Sequence, residues 1–267
     1  MTCSNTLPGH AHSMATTSPH GDRLVLARGG GDAGRPLLFV HGWTCRRDHW
    51  SAQMAAFAPA HPVAALDLSG HGESGCRGRG DWSVTGLAGD VQAALAALGW
   101  QDAVLVGHSM GGAVALEAAL RVSERVAAVV LADSFVLPYG DLTEDDARAI
   151  EAPFHADFAA AIDGLVEQTG GALSAAEKDS LKAGMAAADP AWALPLWADL
   201  LRWTPDTAFA GIEAPIHAIN GALIPEVARQ RCAPHLSERL LPGAGHFLQM
   251  EQPAAFNRSL HEVLAAL

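Results

Sequence analysis

The sequence predicts an α/β fold: a mostly parallel central sheet with helices on both faces and an inserted helical cap. Three observations lead there. Short apolar runs alternate with helical patterns along most of the chain, as they do where a parallel sheet is covered on both sides. Hydrophobic residues make up 49% and charged residues 17% of the 267 residues, enough for a large core and incompatible with disorder. One segment, 138–209, breaks the alternation and is too long for a connecting loop.

The elements follow in order. Residues 1–21 are polar, contain histidines and lack an apolar h-region, so they predict a flexible arm and no signal peptide. Core residues 22–137 begin with Pro36–Val40 as a strand, then a loop, then Val63–Leu66 as a second strand leading into Asp67 and the turn Gly70-His71-Gly72-Glu73-Ser74. Leu87, Val91, Leu95 and Leu98 share one helical face, and Gly99 stops that helix. Ala103–Val106 is a strand, Ala113–Leu120 an Ala-rich buried helix, and Val126–Leu131 the next strand, ending at Asp133 and Ser134. The segment 138–209 carries Pro153, Pro190, Pro195 and Pro205 with Trp192, Trp197 and Trp203, and reads as the helical cap. The core resumes over 210–267 with strands at Pro215–Ile219 and Arg239–Leu241, and closes on the amphipathic helix Pro253–Leu267.

Several function classes drop out. Lys plus Arg number 17 against 29 Asp plus Glu, a net charge of -12, so no basic face is expected and nucleic acid is not a partner. No apolar run approaches the roughly 18 residues of a membrane span. Cys3, Cys45, Cys76 and Cys232 are scattered, with no C-x-x-C pair, which argues against zinc and against a disulfide framework. Gly29-Gly30-Gly31 leads into no helix and lacks a following lysine, so it is a turn and not a phosphate loop. The expectation is a reduced, cytoplasmic protein with no cofactor and no metal, acting on a small-molecule substrate. Homodimerisation is left open.

Gly107-His108-Ser109-Met110-Gly111-Gly112 matches G-x-S-x-G, after a buried strand and at the start of a helix. In that context the pattern is a nucleophile elbow, a sharp turn that lifts the serine Oγ above the sheet edge. The plainer alternative is a strand–turn–helix with an incidental serine. A serine needs a base within hydrogen-bond reach. Most of the 13 histidines cannot be that base. His246 stands out in the loop between the last strand and the last helix; the alternative there is a capping histidine. His41 opens the loop after Phe39-Val40 and is structural or lines the pocket, His71 braces its turn, and His108 belongs to the sheet framework.

Phe39-Val40-His41-Gly42-Trp43, Asp67-Leu68-Ser69-Gly70-His71-Gly72-Glu73-Ser74, Gly107-His108-Ser109-Met110-Gly111-Gly112 and Gly245-His246-Phe247 together resemble the α/β-hydrolase superfamily, over about residues 22–267. The resemblance implies the α/β-hydrolase fold and an oxyanion hole from the backbone N–H groups of Trp43 and Met110. It implies no particular substrate, because one fold hosts many chemistries. In most such relatives a catalytic Asp follows the strand that here is Pro215–Ile219, but this chain continues Asn220-Gly221-Ala222. Some members place the acid after the preceding strand, where this chain has Asp133. Two readings stay open: Asp133 orients His246, or a Ser–His dyad works without an acid, through natural loss or an engineered Asp-to-Ala change at 222. Glu226, beyond a proline, reads as a solvated helix start.

The cap supplies Trp192, Trp197, Trp203, Phe154, Phe158, Leu194 and Leu196, which predict an apolar pocket, with Trp192 and Trp197 as its walls. Arg46 and Arg47 are surface arginines, one of which could meet an anionic group. The leading expectation is a serine hydrolase cleaving a small apolar carboxylic ester, lactone or related acyl compound through an acyl-enzyme intermediate. Carbon–carbon hydrolysis of a diketone would use the same residues. The competing classes are a cofactor-free oxygenase or lyase/cyclase built on a His–Asp dyad, and a non-catalytic ligand-binding member.

Overall fold

The structure, a computed structural model, describes residues 12–267. It opens with a hairpin, β1 (His12–Thr17) and β2 (Arg23–Gly29), followed by β3 (Leu37–Val40). A 3-10 turn at Arg47–Trp50 leads into α1 (Ser51–Phe57), and β4 (Val63–Asp67), α2 (Val84–Leu98), β5 (Ala103–His108), α3 (Met110–Arg121) and β6 (Val126–Ala132) follow. Five helices then interrupt the sheet: α4 (Glu144–Ala156), α5 (Phe158–Thr169), α6 (Ala175–Ala186), α7 (Pro190–Arg202) and α8 (Asp206–Gly211). The chain returns through β7 (Ile216–Asn220), α9 (Glu226–Cys232), β8 (Ser237–Leu240), α10 (Leu248–Glu251) and α11 (Pro253–Ala266).

The eight strands form one sheet in the order β1-β2-β4-β3-β5-β6-β7-β8. The pairs β1–β2 and β2–β4 are antiparallel, and the pairs from β4 to β8 are parallel. Side chains alternate across the central strands, so each strand feeds two cores. Leu38, Val40, Leu105, Val129 and Leu131 face one side, packed with α2, α3 and the cap. Leu37, Phe39, Val104, Val106 and Val130 face the other, packed with Trp50, Phe256, Leu260 and Val263. This two-sided burial is why the strands read as unbroken apolar runs. Helix α2 has the expected boundaries: Ser83 accepts the Gly86 N–H at its start, and Gly99 ends it at φ 68°.

One expectation needs correction. The arm predicted over residues 1–21 is in part a strand: His12–Thr17 pairs in register with Thr17 opposite Arg23 and His12 opposite Arg28. Four of the six β1 residues are polar and none is buried, so nothing in them announces a core strand; it lies at the sheet edge with its side chains largely exposed. Asp22, in the turn between β1 and β2, ties the hairpin to the loop after β4, its carboxylate accepting the Gly78 N–H at 3.0 Å. Residues 1–11, with Cys3, lie outside the described residues. The short helix α1 and strand β2 are likewise additions to the elements that the sequence predicts. Among the described residues, no helix is long and apolar enough to cross a membrane.

Candidate active site

Three loops at the carboxyl ends of the parallel strands meet beneath the cap, where sites in open α/β sheets form. The first is the turn between β5 and α3. Ser109 occupies it alone, at φ 54° and ψ -126°. A non-glycine residue held there costs roughly 1–3 kcal/mol, which the surrounding structure must offset. Close packing enforces the turn: a Cβ on Gly107 would lie 2.2 Å from the Gly111 carbonyl oxygen, and one on Gly111 would lie 2.4 Å from that of Val40. Ser109 N–H donates to Ala132 O at 3.0 Å, tying the turn to β6. Met110 opens α3, so its N–H has no acceptor within the helix.

The second loop follows β6. Asp133 is fully buried, at φ 49°. Its Oδ2 lies 2.9 Å from His246 Nδ1, and its Oδ1 accepts the Gly221 N–H at 2.7 Å. The third loop, after β8, carries His246, whose backbone oxygen accepts from His108 Nε2 at 2.8 Å. With Nδ1–H donating to the carboxylate, Nε2 is the imidazole nitrogen left to accept a proton. The turn after β7 therefore has a different part from the one the missing carboxylate suggested. Gly221 holds the acid of the neighbouring strand, and the Ala222 N–H donates to Ala244 O at 2.9 Å in the histidine loop, with its side chain exposed. A Cβ on Gly221 would lie 2.6 Å from Ala244 O, so only glycine fits against that loop. Its part depends on a contact across 88 residues of sequence, which no local pattern announces.

Ser109 and His246 open into a cavity of about 750 Å³ between the sheet and the cap, walled by Trp43, Tyr139, Phe154 and Trp197. Trp43 is pinned there. Its Nε1–H donates to Ala193 O at 2.9 Å, and its ring stacks on Trp197 at 4.6 Å with Phe154 edge-on at 5.3 Å. Gly42 brings this loop against the elbow; a Cβ there would lie 3.1 Å from Ser109 Cβ.

Two expected pocket residues lie elsewhere. His41 is not a wall of the cavity: its Nδ1–H donates to Gly42 O at 2.8 Å and its Nε2 accepts the Leu68 N–H at 3.1 Å, so both nitrogens brace loops. Burial pushes its pKa down. Trp192 is not a wall either. Its ring packs on His71 at 4.4 Å and Trp82 at 5.5 Å, joining the cap to the loop after β4. Arg47 is no anion receptor, because Asp67 and Glu73 hold its guanidinium. Trp203 donates from Nε1 to Glu117 at 2.8 Å, anchoring the cap to α3. His71 braces its turn as expected, with Nδ1–H on Ser69 O at 2.9 Å. His108 does more than fill the framework, since it lines the cavity and holds the histidine loop.

Residues 37–259 match the alpha/beta hydrolase family, and the chain belongs to it. It is 40% identical over 111 residues to the dihydrolipoyllysine-residue acetyltransferase component of an acetoin cleaving system from Cupriavidus necator, a match covering 42% of this chain and 29% of that protein. It is 41% identical over 101 residues to a non-heme haloperoxidase from Rhodococcus erythropolis, covering 37% of this chain and 36% of the other. The chain thus spans well under half the length of these curated relatives. Among solved structures it resembles a bromoperoxidase from Bacillus anthracis, with a TM-score of 0.85, 21% identity, and 95% and 100% of the two chains covered. It also resembles an esterase from Exiguobacterium antarcticum, with a TM-score of 0.83, 17% identity, and 94% and 99% covered. At these identities the two structures speak for the fold.

Proposed function

We propose that this protein is a serine hydrolase that cleaves a small, neutral, apolar carboxylic ester, lactone or related acyl compound through an acyl-enzyme. The observation that carries the reading is the 2.9 Å contact of His246 Nδ1 with buried Asp133, while the same histidine and Ser109 open into one cavity. Ser109 Oγ attacks the acyl carbon as His246 Nε2 takes its proton. Asp133 keeps the imidazole in the required tautomer and stabilises its cation. The N–H groups of Met110 and Trp43 hold the developing oxyanion, aided by the positive end of α3. His246 returns the proton to the leaving alkoxide, and water activated by the same nitrogen then releases the acid and restores Ser109. No lysine or arginine is among the cavity's described lining residues, its walls are mainly aliphatic and aromatic, and the one lining carboxylate, Asp157, would repel an anion, which favours an uncharged substrate over an anionic one.

A fluorophosphonate probe should label the protein once per chain at Ser109. Ser109→Ala should lose the label and lower p-nitrophenyl acetate turnover on the order of a thousandfold. Near-parent turnover by that variant, or a parent that does not label, defeats the proposal. Oxygen uptake with a heteroaromatic hydroxy-ketone, in place of ester turnover, would assign the oxygenase class instead.

A further inference from the structure

The loop carrying His246 is held by a carboxylate outside the Ser109–His246–Asp133 set. Glu251, the last residue of α10, accepts backbone N–H groups on both sides of the histidine: Gly245 at 2.8 Å through Oε2 and Phe247 at 3.0 Å through Oε1. The same Oε2 accepts a third N–H, that of Ala172 at 3.0 Å, from the turn between cap helices α5 and α6. His246 uses its own N–H on the cap as well, donating to Thr169 O at 2.8 Å, the last residue of α5. The histidine loop is therefore fastened to the cap at two points. Both are backbone hydrogen bonds or bonds to a shared carboxylate.

The backbones are pressed together at this junction. A Cβ on Gly171 would lie 2.2 Å from Glu251 Oε2 and 2.9 Å from Gly245 Cα. A Cβ on Gly245 would lie 2.7 Å from Thr169 O and 2.8 Å from Gly171 Cα. Two facing glycines, one in the core and one in the cap, thus leave room for the carboxylate and for nothing larger. The remaining ties on His246 come from the core, through His108 to its carbonyl oxygen and Asp133 to its ring. Two of the ties setting the imidazole's position belong to the sheet and two to the cap.

We infer that Glu251 is a positioning residue that registers His246 against the cap, so that the seating of the α5–α6 turn and the alignment of the base are one coupled variable. The inference rests on the serine-hydrolase reading for its kinetic consequence, but its structural consequence does not. Cap displacement pulls Thr169 and Ala172 away from the loop and moves Nε2 off the line to Ser109. A displacement of about 1 Å costs on the order of a hundredfold in rate.

The test uses the full chain. Glu251→Ala removes all three bonds; Glu251→Gln keeps one accepting oxygen and turns an amide N–H toward a backbone donor. Turnover of p-nitrophenyl acetate should fall on the order of a hundredfold in Glu251→Ala and less in Glu251→Gln, with KM changed under about threefold in both. The fluorophosphonate should still label every chain, only more slowly, which separates misalignment from loss of folded protein. Amide hydrogen exchange should speed up in both 171–172 and 245–247 in Glu251→Ala, whether or not the protein is an esterase. Gly171→Ala, made from the cap side alone, should loosen 245–247 too and lower kcat. Faster exchange at 245–247 with 171–172 unchanged overturns the coupling, as does a Gly171→Ala variant with parental kcat. A Glu251→Gln variant with parental kcat and exchange also overturns it. A parent that neither labels nor turns over ester, with the exchange coupling intact, overturns the hydrolase reading and leaves the positioning role standing.

Discussion

Asp133 divides its two oxygens between two neighbours, His246 Nδ1 and the Gly221 N–H, and no side of the carboxylate is left to water. Replacing one oxygen by an amide nitrogen therefore does two kinds of harm: it turns a donor toward a donor and releases the imidazole into the wrong tautomer. Asp133→Asn should lower turnover up to about ten-thousandfold with little change in KM, read by steady-state kinetics on a chromogenic ester. Ala222→Asp in that background should recover part of the loss. The turn at Gly221 already touches the acid, and the Ala222 N–H already touches the histidine loop. In the parent background the same change should leave kcat within about twofold, because Nδ1 is engaged. If Asp133→Asn keeps parental turnover, the dyad without an acid is the correct mechanism.

Between β4 and α2 runs a long loop with no secondary structure of its own, and a buried ion pair holds it. Arg79 and Asp90 meet at 2.6 Å with both side chains fully buried. Asp90 also accepts the Ser69 N–H at 2.9 Å, and Arg79 lies over the Trp82 ring at 5.5 Å. Trp82 in turn packs on Trp192 of α7, so the pair supports the seat of the cap. Burial raises the Asp90 pKa, with Arg79 pulling the other way, so the carboxylate depends on its partner. Arg79→Met should destabilise the protein by about 3–5 kcal/mol, because it leaves an uncompensated charge inside. Adding Asp90→Asn should recover part of that, since an amide oxygen still serves Ser69. Urea denaturation of the three proteins decides it; a single variant within about 0.5 kcal/mol of the parent would mean the pair carries no load.

Over the whole molecule, acid stability should be set by histidines folded in their neutral form. Burial pushes the pKa of His71 and His108 well below the ordinary value, lowers that of His41, and brings that of His49 to about 4. Asp67 and Asp48 raise His41 against that trend, and Asp48 raises His49. The sign follows from proton counting. Below about pH 6.5 the unfolded chain takes up protons that these sites refuse, so stability falls as the pH drops. Each such histidine contributes about 1.4 kcal/mol per pH unit until the pH reaches its folded pKa. Asp90, raised by burial, binds a proton more readily when folded and offsets a little of the loss. Tm should therefore decline steadily from pH 7 to pH 5, with ester turnover as a separate measurement. A Tm flat across that interval would contradict neutral burial.

The sequence by itself determined the layered architecture, because alternation of short apolar runs with helical faces leaves few ways to bury both. It also determined the turn that carries Ser109, since a strand, a tight glycine-flanked turn and a helix are adjacent in the chain and can be read locally. His246 was legible as a loop histidine between the last strand and the last helix, and Asp133 as one of two open alternatives. Tertiary structure decided the rest. Whether Asp133 reaches His246 depends on the spacing of β6 and β8 across the intervening β7, which no local pattern encodes. Trp192 and Trp197 sit five residues apart on one cap helix with the same apolar character, yet only Trp197 faces the cavity. An edge strand such as β1 pairs through backbone groups that every sequence possesses, so its exposed side chains carry no core signal. The hold of Glu251 on the histidine loop and cap is likewise made of backbone N–H groups, which have no residue identity and become visible only once the chain has folded.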